Sequence, residues 1–175
     1  MATHTKQYQA PGIADLYTGY GGGGDRPLAS YALLVSVWSG LFAGYLALSK
    51  ATGKPMPRLG AGEVVLLGGA TFHAARLLSK DSILSFVRAP FTRYKEPGAP
   101  GESNEEPRKD TPVQHAIGEL LVCPFCLATW VAAAFAYGMG LAPAFTRLVA
   151  SLFCIIGLAD FLQLGYGMAV KKAEN

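Results

Sequence analysis

From Leu28 to Leu48 the chain carries no charged residue at all. At about 1.5 Å of rise per residue, a helix over that run crosses a hydrocarbon core of about 30 Å. Two more such runs follow, Leu120 to Thr146 without any charge and Leu148 to Val170 with Asp160 alone. The composition agrees: 51% of residues are hydrophobic and 15% charged, against about 25% charged in an ordinary soluble domain. We therefore expect an integral membrane protein. No basic stripe with interleaved aromatics is present, so nucleic acid is not an expected partner.

The expected fold is all-α: a four-helix transmembrane bundle with spans at about 28–48, 59–79, 120–142 and 148–170, forming one transmembrane domain over residues 28–175. Residues 1–27 read as a flexible tail ending in Gly21-Gly22-Gly23-Gly24, since glycine loses the most backbone entropy on ordering. A phosphate-binding loop there lacks the following Gly-Lys-Ser/Thr. The run at 28–48 exceeds a signal-peptide core, which favours a retained helix. The span at 59–79 holds Glu63, His73 and Arg76, as a soluble amphipathic helix would. Its length and its Gly68-Gly69-Ala70 centre suit close packing in a membrane.

Between the second and third spans, Asp81 to Tyr94 places Ile83, Leu84, Val87 and Phe91 on one face, predicting a short interfacial helix that ends near Pro90. Residues 95–111 are rich in Pro, Gly, Glu and Lys and read as a mobile polar linker. With four spans, Lys6, Arg26, Arg76, Lys80, Arg88, Arg93, Lys95, Arg108, Lys109, Lys171 and Lys172 share one side, leaving Lys50, Lys54, Arg58 and Arg147 on the other. By the positive-inside rule, both termini and the linker are expected in the cytoplasm of a bacterial inner membrane.

The residues able to carry chemistry begin with Cys123-Pro124-Phe125-Cys126. Pro124 suits a first helical position, which makes Cys123 the cap of that helix and exposes its thiol to the helix dipole. Two sulfurs one turn apart can share a metal or form a disulfide, although buried cysteines more often serve as small hydrophobes. On a continuous helix, His115, Glu119, Cys123, Cys126 and Trp130 fall within a sector of roughly 80°. Zinc or another thiolate-bound metal on Cys123 and Cys126, completed by Glu119 or His115, is accordingly a candidate site. A second cluster joins Arg76, His73, Glu119 and Asp160 at similar depth. A carboxylate there calls for a partner, and Arg76 is the first choice for Asp160, with His73 second. Cys154 lies toward the opposite face and reads as packing.

Thr71-Phe72, Arg76-Leu77-Leu78, Asp81, Arg88-Ala89-Pro90-Phe91, Gly118-Glu119-Leu120-Leu121 and Cys123-Pro124-Phe125-Cys126 with Trp130 together resemble a family of small bacterial membrane proteins. It is the domain-of-unknown-function family thirteen-sixty, which includes sporulation-associated members from bacilli, and the resemblance covers roughly residues 60–140. It implies a bacterial multi-pass membrane protein and supplies no activity. The family pattern has arginine at the position of His73, which speaks against a ligand role for that residue. The expected function is therefore that of a non-enzymatic membrane component acting through protein association. Its expected partners are the lipid bilayer and either its own copies or other membrane proteins. The alternative is a metal-binding or thiol-redox protein centred on Cys123 and Cys126.

Overall fold

The computed structural model describes Tyr20 and residues 26–53 and 56–174. Nearly all of the glycine-rich tail expected at 1–27 lies outside the described residues. The elements, in chain order, are α1 (Leu28–Thr52), α2 (Ala61–Lys80), α3 (Ser85–Arg88), β1 (Thr92–Pro97), β2 (Ser103–Pro107), α4 (Pro112–Val122), α5 (Pro124–Leu141) and α6 (Pro143–Ala173).

Proline opens three of these helices, at Pro112, Pro124 and Pro143, where its missing N–H leaves no helical hydrogen bond unmade. Side chains satisfy some of the remaining end groups. Glu63 accepts from the Gly60 N–H at 3.1 Å, and the Thr111 hydroxyl accepts from the Gln114 N–H at 3.1 Å. α1 ends at Gly53, whose φ of 64° is left-handed and suits glycine.

Helix directions follow from the contacts. Arg147 pairs with Glu63 at 2.6 Å, and His73 lies 3.5 Å from Asp160, so α2 and α6 run the same way. The chain turns at Ala142, and Phe135 packs edge-on against Phe153, so α5 and α6 are antiparallel. Tyr45 stacks on Tyr137 while Tyr31 bonds to Glu119 near the start of α5, so α1 runs with α5. The start of α1, the end of α2, the strands, the start of α5 and the end of α6 therefore share one end of the molecule.

The core is small and centres on α2. Leu67, Ala70 and Ala74 pack against Phe135 and Met139 of α5 and Ala150 of α6. Small side chains let these backbones approach, and a Cβ at Gly157 would lie 3.1 Å from the His73 Cβ.

Several expectations change. Among the described residues three helices, α1, α5 and α6, are long and apolar enough to cross a membrane, not four. The helix expected at 59–79 is present, but Glu63, His73, Arg76 and Lys80 dilute its apolar character, and it is the central packing helix instead. The fold is not purely α, because β1 and β2 pair antiparallel, Thr92 opposite Pro107 and Pro97 opposite Ser103, with an irregularity between Tyr94 and Glu96. The mobile linker expected at 95–111 is this hairpin plus the cap of α4. The interfacial helix expected over 81–94 shrinks to the single turn of α3. Its approach is bent by Asp81, whose carboxylate accepts from the N–H groups of Ile83 and Leu84 at 2.8 and 3.0 Å. The span expected at 120–142 begins inside α4 and is interrupted at Cys123, which is extended with φ −105° and ψ 102°.

Candidate functional site

The break at Cys123 creates the most chemically distinctive local geometry. Pro124 cannot donate backward, so α5 starts there and Cys123 becomes its cap. The Cys123 sulfur accepts the Cys126 N–H at 3.2 Å, and the two sulfurs are 2.6 Å apart with both cysteines free. The cap expected from the sequence is thus present, while the continuous stripe from His115 to Trp130 is not. α4 and α5 are separate helices.

Glu119 and Cys126 still meet around one cleft of about 430 Å³, walled by Tyr31, Trp38 and Trp130. Glu119 accepts a hydrogen bond from Tyr31. It also lies 3.5 Å from His115 and 3.7 Å from Arg26. Among the described residues no group of three or more His, Cys, Asp or Glu side chains gathers as a metal site would require. Cys123 and Cys126 supply two sulfurs, and the nearest polar company of Glu119 is Tyr31, His115 and Arg26.

The second expected cluster is divided. Asp160 lies against His73, the second choice, with its carboxylate 3.5 Å from Nδ1. Arg76, the first choice, instead grips Glu102 with two contacts of 2.6 and 2.8 Å. Glu102 comes from the hairpin turn, which the sequence reading left unfolded, and a two-pronged guanidinium–carboxylate pair is a strong competitor. His73, Arg76, Glu102 and Asp160 nonetheless line one pocket of about 490 Å³ between α2, α6 and the hairpin. Glu119 lies outside it.

The residue that sequence reasoning missed is Arg88. It is fully buried, and its guanidinium donates to Glu105 at 2.6 and 3.1 Å. It also donates to the carbonyls of Leu78 at 3.0 Å and Asp81 at 2.8 Å. Thr92 adds a hydroxyl 2.5 Å from Glu105. Burial alone would raise the Glu105 carboxyl, but hydrogen bonds from Arg88, Thr92 and Ser85 outweigh it and hold the group below the usual glutamate range. Nothing local marked it, because Arg88 closes the single turn of α3 and its partners lie on α2 and β2.

This architecture defines a mostly helical protein with three apolar helices of membrane-crossing length, a compact hairpin at one end and a cysteine pair at a helix break. Residues 66–166 match the protein family of unknown function DUF1360, and the chain belongs to that family. It is similar to Sporulation protein YjcA of Bacillus subtilis (strain 168), 34% identical over 103 residues that make up 57% of this chain and 86% of that protein. No solved structure matches the chain.

Proposed function

We propose that the protein is a multi-pass component of a bacterial cytoplasmic membrane that acts by associating with other membrane proteins. The observation that carries the membrane reading is how little of the apolar helices the fold covers. In the most apolar window of α1 nothing is buried, and in those of α5 and α6 only 11% is. Leu33, Val35, Leu41, Leu152, Ile155, Leu158 and Leu162 all face outward. A protein in water rarely leaves contiguous apolar surface beyond a few hundred Å².

The same reading accounts for α2. It runs opposite to α1 and α5 through the same layer, exposes Val64, Val65 and Phe72, and turns His73 inward. Glu63 is met by Arg147. Lipid thus meets apolar side chains while protein meets polar ones, the pattern expected of a weakly apolar helix carried across a bilayer by its neighbours. The basic residues Arg26, Arg93, Lys95, Arg108, Lys109, Lys171 and Lys172 fall at the hairpin end, which argues for that end in the cytoplasm.

Association is supported by α1. Gly40 and Gly44 are four residues apart on its surface, and a Cβ at either would meet nothing within 4 Å. Such a pair lets a second helix approach closely. The sporulation role named for the similar Bacillus protein suggests the setting, a membrane process of spore-forming or related bacteria. Reporter fusions test the placement. Fusions at the carboxyl terminus and in the hairpin turn at Pro100 are expected to report the cytoplasm, and export of either reporter overturns this orientation.

A further inference from the structure

We infer that Cys123 and Cys126 form a redox-active dithiol that closes to an intramolecular disulfide by exchange with an external disulfide, such as that of an oxidised thiol protein or peptide. This goes beyond the association role and does not depend on it. Three features of the helix break carry it. The sulfurs are 2.6 Å apart, so no rearrangement of the backbone is needed to bring them together. Cys123 caps α5, and its sulfur receives both the Cys126 N–H, at 3.2 Å, and the Cys126 thiol. Both donors converge on the Cys123 sulfur at the first turn of α5, which sets it apart from its neighbour. Finally, Cys126 is exposed and forms part of the wall of the 430 Å³ cleft, and Cys123 in contact with it is half-buried rather than enclosed, so a reactant has a route to the pair.

The roles follow from this asymmetry. Cys123, as thiolate, attacks one sulfur of the external disulfide. A new S–S bond forms to Cys123, the external S–S bond breaks, and the released thiolate takes a proton from solvent. Cys126 then loses its proton to solvent and attacks the Cys123 sulfur, which breaks the mixed disulfide and releases the second external thiol. Two protein thiols are oxidised, one external disulfide is reduced to two thiols, and two protons pass between them through the solvent. Cys154 takes no part. It sits on α6 against α2, where a Cβ at Gly69 would lie 2.9 Å from its sulfur.

The test uses the full chain in membrane vesicles, equilibrated with reduced and oxidised glutathione at a series of ratios and then alkylated with a heavy maleimide. The expected result is that two of the three cysteines lose reactivity together, in a monomeric product lighter by two hydrogens, while Cys154 stays alkylated. The single variants separate the roles, and serine preserves the cap in Cys123→Ser because it is itself a favoured capping residue. Cys126→Ser is expected to accumulate a glutathione adduct at Cys123 at least about tenfold faster than Cys123→Ser does at Cys126. Independent labelling of the two cysteines at all ratios, or disulfides formed only between chains, overturns the proposal. Equal adduct rates in the two variants overturn the assignment of Cys123 as the attacking group.

Discussion

A single buried guanidinium organises the hairpin end of this protein. Arg88 is 0% exposed and joins α3 to the last turn of α2 and to β2 through Glu105. Removing one partner of such a pair leaves the other as an uncompensated buried charge. Arg88→Met is therefore expected to destabilise the protein by about 3–5 kcal/mol, with part of the loss recovered in the double variant with Glu105→Leu. Thermal unfolding in detergent measures both. The pair also sets a pH dependence. Because the Glu105 carboxyl is held below its ordinary range, its contribution is complete above the unfolded value of about 4.3 and is lost as pH falls through the lower folded value. Comparing wild type with Glu105→Gln from about pH 7 down to about pH 3 should show the wild-type advantage shrinking at the acid end. An advantage that is constant over that range removes Glu105 as the titrating group.

Among the elements, the long apolar helices were legible because an uncharged run leaves few alternatives. α1, α5 and α6 lie close to the expected spans, and Pro124 and Pro143 mark two of their starts. The hairpin was not legible. Tyr94-Lys95-Glu96-Pro97 and Ser103-Asn104-Glu105-Glu106 lack alternating apolar residues and are poor in the β-branched types that strands favour. What holds them is long-range, chiefly Arg88 on Glu105 and Arg76 on Glu102, and neither pairing has a local signature. The same blindness misassigned Asp160, since the competitor for Arg76 sat in a segment read as unfolded. The hairpin also depends on Gly118 of α4. A Cβ there would lie 2.5 Å from the Phe91 carbonyl oxygen and 3.0 Å from the Pro107 Cβ. Backbone cannot yield as a side-chain tip does, so Gly118→Ala is expected to cost about 1–3 kcal/mol. Limited proteolysis across residues 97–103 should then cut the variant faster than the parent. Equal rates would mean that α4 and the hairpin separate without consequence.

For the whole molecule, the open surface of α1 gives the association proposal its most direct check. Since a Cβ at Gly40 or Gly44 meets nothing within 4 Å, leucine at both positions is expected to leave folding intact and to reduce self- or partner cross-linking in membranes several-fold. Unchanged cross-linking would assign the contact to another face. The position of α2 has a consequence for how the chain is made. Under the membrane proposal, α2 leaves the ribosome before α5 and α6, the two helices that cover its inward face. Until they arrive, Glu63 lacks Arg147 and His73 lacks Asp160. A growing chain stopped after the hairpin holds a segment too polar to stay in lipid unaided. Under that same proposal, α2 settles across the membrane only after the carboxyl-terminal helix pair has been made, late in biogenesis.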